Sequence, residues 1–161
     1  MSNLPRSSAL RKGRASLPGQ VYLITCVTRD RQQRFASFER ACAASAALTR
    51  PALWVDARLL AWVLMPDHMH LLVELGDKEN LSLVAQRCKA VLSTTLRPYL
   101  GHEKLWQPGY HDHALRRTEN VRHAARYLIA NPLRAGLVER IGDYPFWDAV
   151  WLGPDHDTLD P

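Results

Sequence analysis

The chain has 161 residues, 47% hydrophobic and 23% charged, which is enough for one domain with its own core. No apolar run reaches the roughly 18 residues that a membrane span requires, so no span is expected and no membrane partner. The net charge is +5, the pI is about 9.4, and 17 of the 21 basic residues are arginine, whose planar fork suits phosphate, so the expected partner is anionic and nucleic acid leads.

Residues 1–19 read as a basic arm carrying Arg6, Arg11, Lys12 and Arg14, closed by Leu17-Pro18-Gly19. No apolar stretch follows the basic start, so the arm does not have the pattern of a secretory signal. "VYLITCVT", 21–28, is rich in β-branched residues and predicts a strand. A polar loop with Arg29, Arg31 and Arg34 follows, then an alanine-rich helix over 38–50 that Pro51 stops. "ARLLAWVLM", 57–65, predicts a second strand, Pro66-Asp67 a tight turn, and "HMHLLVEL", 68–75, a third strand antiparallel to the second. Over 80–96 the apolar positions Leu81, Val84, Cys88, Val91, Leu92 and Leu96 follow the helical period, with Pro98 as the expected stop. A fourth strand is expected over 105–116, bent at Pro108-Gly109, and a helix over 118–131, capped by Thr118 with Glu119 in its first turn. "PLRAGL" reads as a short turn or helix. Tyr144, Phe146, Trp147 and Trp151 are expected to cover an edge of the domain, and residues 151–161 read as a loose tail.

The order β–α–β–β–α–β–α is the ferredoxin-like pattern with an added helix. It predicts an α+β domain over 20–150, an antiparallel sheet with helices on one face. Cys26, Cys42 and Cys88 are scattered and form no CxxC pair, which fits a reducing, cytoplasmic setting and disfavours a zinc site built on thiols.

Alternation along the third strand puts His68, His70, Leu72 and Glu74 on one face and Met69, Leu71, Val73 and Leu75 on the other. The second set is uniformly apolar and defines the core side. Two imidazoles at i and i+2 can reach one cation and leave positions open for water or substrate. They can also be two polar residues facing solvent. His111 and His113 have the same spacing, but they sit beside the Pro-Gly bend, a less rigid frame. Among five tyrosines, Tyr127 lies on a helix beside Arg126, with Asn131 four residues on and so on the same helical face. The same spacing also suits a tyrosine packed at the core edge. Trp106 and Tyr110 could stack on a base, with packing the commoner role.

"MPDHMHLL" resembles the His-hydrophobic-His motif of the HUH nucleases, and "ARYLIANPLRAGLV" resembles the nucleophile helix of their single-tyrosine branch. With "LRKGR", "WQPGYHDHALR" and "YPFW" in order over about residues 10–150, the chain resembles the REP-associated tyrosine transposases. The resemblance implies a ferredoxin-like HUH fold with a C-terminal nucleophile helix. It also implies cleavage and rejoining of single-stranded DNA at hairpin-forming repeats through a 5′-phosphotyrosine. Tyr127 matches the nucleophile, and His68 and His70 match the pair that holds Mg2+ or Mn2+. Asn131 matches the polar residue that can complete the coordination, often glutamine in the wider branch. Arg11, Lys12, Arg14, Arg29, Arg31, Arg34, Arg116, Arg117 and Arg126 are the expected DNA contacts. The family acts both as monomers and as homodimers, and both stay open here. A non-catalytic hairpin-binding relative is the alternative. An RNA phosphoesterase is disfavoured because it wants two H-x-[ST] elements, which the sequence lacks.

Overall fold

The computed structural model describes residues 16–152, so Arg11, Lys12 and Arg14 and most of the expected tail lie outside the described residues. Its strands are β1 (Val21–Val27), β2 (Ala57–Met65), β3 (His68–Leu75), β4 (His111–Ala114) and β5 (Trp147–Ala149). Its helices are α1 (Phe38–Leu48), α2 (Leu81–Leu100), α3 (Val121–Ile129) and α4 (Asn131–Arg134). The sheet runs in the order β4-β1-β3-β2-β5, and every neighbouring pair is antiparallel. This is the expected ferredoxin-like arrangement with one strand added at the β2 edge.

Period-two alternation divides the sheet into two faces. On one, Ile24, Cys26, Trp62, Leu64, Met69, Leu71 and Val73 are buried under α1 and α2. Ala41, Ala44 and Ala47 recur every three residues along α1, and their small side chains let α1 lie close to α2. Helix α2 presents Leu81, Val84, Ala85, Cys88, Leu92 and Leu96 as one apolar stripe. On the other face α3 buries Ala125 and Leu128 against Leu60, Ala61, Val63, Met65 and Leu72. Helices therefore occupy both faces: the added helix takes the side that carries the histidines.

Several boundaries differ from expectation. Helix α2 passes through Pro98, because a proline in the last turn forgoes one hydrogen bond while Leu100 beyond it is buried. The helix ends at Gly101, whose φ of 60° suits a residue without Cβ. Asn120, not Thr118, caps α3 by accepting from the His123 amide at 3.1 Å. The fourth strand shrinks to four residues, with Trp106 making a separate bridge to Thr28. The aromatic tail does more than cover: Trp147–Ala149 pairs with β2, and the Tyr144 hydroxyl donates to the Leu64 carbonyl at 2.5 Å. Trp151 and Leu152 sit in a short turn, with Trp151 packed on the α3-side core, so the first residues of the expected loose tail are ordered.

The α3–α4 junction also has a local cause. Pro132 has no N–H to give the Leu128 carbonyl, the partner that a helical residue there would use. The Asn131 side-chain amide supplies the missing donor instead, at 2.7 Å. Ala130 stays in the helical region, and the Arg134 amide reaches the Ala130 carbonyl at 3.1 Å, so the two helices continue one another closely.

Leu128 is 1% exposed and anchors α3 to the sheet. Leu128→Ala is expected to lower stability by about 2–4 kcal/mol in urea unfolding. Leu83→Ala, at a half-exposed position on α2, should stay within about 0.5 kcal/mol of the parent.

Candidate active site

Strand β3 is hydrogen-bonded on both sides, which fixes where its side chains stand. His68 pairs in register with Val27 and Met65, and His70 with Thr25 and Val63. Both imidazoles project on the α3 side. Their Nε2 atoms lie 3.1 Å apart and the rings meet edge to face.

The outer nitrogen of each ring is fixed by a neighbour. The Asp67 carboxylate accepts from His68 Nδ1 at 2.6 Å, which places the neutral ring's lone pair on Nε2. His70 Nδ1 lies 2.8 Å from the Thr25 hydroxyl, which can rotate either to donate or to accept. With Thr25 donating, His70 gives its Nε2 proton to His68 and the two rings hydrogen-bond each other. With Thr25 accepting, both Nε2 lone pairs are free.

Asp67 is itself held. Its backbone carbonyl accepts from the Thr28 amide and hydroxyl, both at 2.9 Å, and its other carboxylate oxygen accepts from Arg31 at 3.3 Å. Arg31 arrives there on a strained loop, in which Asp30 (φ 54°) and Arg31 (φ 50°) are both left-handed without being glycine. Burial works to raise the Asp67 carboxyl, but the hydrogen bonds and charges of His68 and Arg31 outweigh it and hold it below the usual range. Burial, the neighbouring His68 charge and the Arg134 charge push His70 down to about 4, so it is neutral at pH 7.

The donor set fits a divalent cation. Two nitrogens about 2.1 Å from one ion subtend close to a right angle when they stand as far apart as these do. Neutral imidazole is the ligating form. Among the described residues no group of three or more His, Cys, Asp or Glu converges, so any further ligands must come from Asn131, water or substrate. Asn131 has committed its amide nitrogen to the Leu128 carbonyl, leaving its Oδ1 as the available donor.

Tyr127 is 61% exposed on α3. The Arg134 guanidinium carbon stands 3.9 Å from the centre of its ring. The Arg134 charge also acts on His70, so one guanidinium influences both the Tyr127 ring and an imidazole. Position 134 was missed in the sequence, although Tyr127, Asn131 and Arg134 follow the i, i+4, i+7 spacing of one helical face. Thr25 and Asp67 were also missed, because only the register brings Thr25 to His70.

The other expected residues spread out. Arg126 and Arg122 line an apolar cavity of about 240 Å³ with Ile129, Trp147 and Trp151. Arg34 is largely covered and paired to Glu103, while Arg29 is exposed beside Asp30. Arg116 and Arg117 are exposed after β4. Of the rival histidine pair, His113 contacts Glu119 at 3.2 Å. His111 shares a row with Thr25 and His70 but stands across β1, about two strand spacings or 10 Å from His70. Trp106 and Tyr110 are buried, with Trp106 donating to the Lys89 carbonyl and Tyr110 bonded to Ser82, which fits packing.

A family model described as Transposase IS200 like matches residues 18–130. A REP-associated tyrosine transposase of Escherichia coli K12 is 34% identical over 88 residues, 53% of this chain and 50% of that protein, so the match spans half of the relative's length. A Haemophilus influenzae relative with the same family designation is 22% identical over 139 residues, 80% of this chain and 78% of that protein. Among solved structures, a REP-associated tyrosine transposase bound to a REP hairpin superposes with a TM-score of 0.65 at 27% identity, covering 83% of this chain and 79% of that one. A bacterial tRNA(His) guanylyltransferase-like protein in complex with GTP, 12% identical with a TM-score of 0.51 over 89% of this chain and 77% of that one, shares the fold alone.

The depressed His70 predicts a pH dependence. Between about pH 4 and 6.5 the unfolded chain binds the proton that native His70 refuses, so stability rises with pH across that window and is complete above it. Thermal melts from pH 7 down to 4 should show a progressive loss, and His70→Gln should remove that part of the slope.

Proposed function

This chain belongs to the IS200-like transposase family, and from that premise we propose that it cuts and rejoins single-stranded DNA beside a hairpin, with Tyr127 as the nucleophile. What supports this reading is that α3, which carries the exposed Tyr127, packs on the sheet face that bears the two neutral-capable imidazoles, while the Arg134 guanidinium stands over the Tyr127 ring and its charge acts on His70. His68, His70 and the Oδ1 of Asn131 are the residues that would hold a divalent cation, Mg2+ or Mn2+. Imidazole donors suit manganese better. Once bound, the cation supplies Lewis-acid polarisation of a phosphoryl oxygen.

The chain's own residues supply the rest. Asp67 and Thr25 fix the ring orientations, and Arg31 fixes Asp67. The Tyr127 oxygen forms a bond to phosphorus as the bond from phosphorus to the 3′-oxygen breaks. The phenolic proton ends, through water, on that 3′-oxygen, leaving a 5′-phosphotyrosine and a free 3′-hydroxyl. One phosphoester replaces another, so the strand can be rejoined by the reverse attack without an external energy source.

The hairpin partner is inferred from the related transposase that was solved with a REP hairpin. Exposed Arg29, Arg116 and Arg117 offer phosphate contacts on this side of the molecule or near its β4 edge.

Incubation with a hairpin-bearing single-stranded oligonucleotide and Mn2+ should yield a denaturant-resistant protein–DNA adduct. Tyr127→Phe should reduce the adduct by about a thousandfold or more while leaving affinity nearly unchanged. An adduct that persists in this variant removes Tyr127 from the role, and binding without any adduct in the parent leaves a non-catalytic hairpin binder. Combined His68→Ala and His70→Ala should abolish metal-dependent cleavage, as should excess EDTA. Three phosphate contacts predict an affinity loss of about twenty- to fortyfold between roughly 50 and 200 mM salt, readable by anisotropy.

A further inference from the structure

We propose that Arg134 is the positioning residue that holds the Tyr127 ring and receives the scissile phosphate during strand cleavage. The inference deepens the reading above and rests on Tyr127 being the nucleophile.

Three observations carry it. The guanidinium of Arg134 covers the Tyr127 ring at 3.9 Å, a cation–π contact that restricts an otherwise exposed side chain. Helix α4, which carries Arg134, packs on β2, whose Val63 and Met65 are the register partners of His70 and His68. Among the described residues no carboxylate pairs with Arg134, although it is exposed. Other arginines have their own partners or line other features: Arg31 pairs with Asp67, Arg34 with Glu103, and Arg122 and Arg126 line the apolar cavity.

Charge explains why such an arginine belongs there. A guanidinium beside a cation-binding imidazole pair repels the cation unless an anion lies between them. A phosphodiester carries that negative charge and offers two non-bridging oxygens. One can face the imidazole pair while the other accepts from Arg134, whose N–H groups suit a phosphate oxygen. The same contact brings phosphorus next to the phenol oxygen. Arg134 thus couples arrival of DNA to alignment of the nucleophile, a positioning effect and not a contribution to general affinity.

The test compares Arg134→Ala, Arg134→Gln and Arg134→Lys with the parent, using the hairpin oligonucleotide with Mn2+. Single-turnover adduct formation and DNA affinity are measured side by side. Alanine and glutamine should slow adduct formation by about a hundredfold while affinity changes by less than about threefold. Lysine, which keeps the charge but not the planar fork, should fall between them and the parent. A rate within about threefold of the parent in the alanine variant, a rate loss matched by an equal affinity loss, or lysine no better than glutamine overturns the proposal. If the alanine variant does not fold, glutamine and lysine carry the same comparison. Tyr127→Phe separates the two claims: an adduct in that variant defeats the nucleophile reading, whereas no adduct there with an unimpaired Arg134→Ala defeats this inference alone.

Discussion

The structure turns on the double pairing of β3. A strand bonded on both edges cannot slide or twist to suit a ligand, and a slip of one residue would send both imidazoles into the α1–α2 core. The apolar residues Met69, Leu71 and Val73, all fully buried, oppose that slip. Core packing on one face therefore fixes the ligand geometry on the other. The two nitrogens are placed by hydrophobic burial, with the tight contacts to Asp67 and Thr25 setting only their ring rotation.

The electrostatics around this frame are lopsided. Asp67 is the carboxylate nearest the imidazoles, and it is engaged by His68 and Arg31 together. Arg134 then adds a positive charge that no carboxylate among the described residues pairs with. A neutral, desolvated His70 beside that charge is costly ground for a proton and favourable ground for an anion. The strained Asp30-Arg31 loop belongs to the same design, because its left-handed pair brings the Arg31 guanidinium back over the Pro66-Asp67 turn.

Much of this was legible in the sequence where periodicity spoke. The alternation of 68–75 gave the face of the histidines, the alanine-rich composition gave α1, and the apolar period gave α2. The sequence was less informative where two signals competed. Thr118 and Asn120 can both cap a helix, and only the distances to the following amides decide between them. Pro98 argued for a stop that the burial of Leu100 overrode. Strand β5 is three residues long and follows a proline, so no period could announce it. Arg134 escaped because the Asn-Pro pair looks like a helix end, which hides that the chain continues helically to position 134. Reading Tyr127 with its sequence neighbour Arg126 overlooked the guanidinium that stands over its ring, since adjacent helical residues diverge by about 100°.

The Asn131–Pro132 pair joins two demands in one dipeptide. Proline removes a donor, and the preceding asparagine restores it from its side chain. Position 131 is therefore constrained by its neighbour's chemistry as much as by the site it borders. A lineage that lost the proline would regain a backbone donor and release the residue before it to lengthen, shorten or turn outward. The two positions should consequently change together over evolution, and the proline's identity sets how freely its neighbour can explore new ligands.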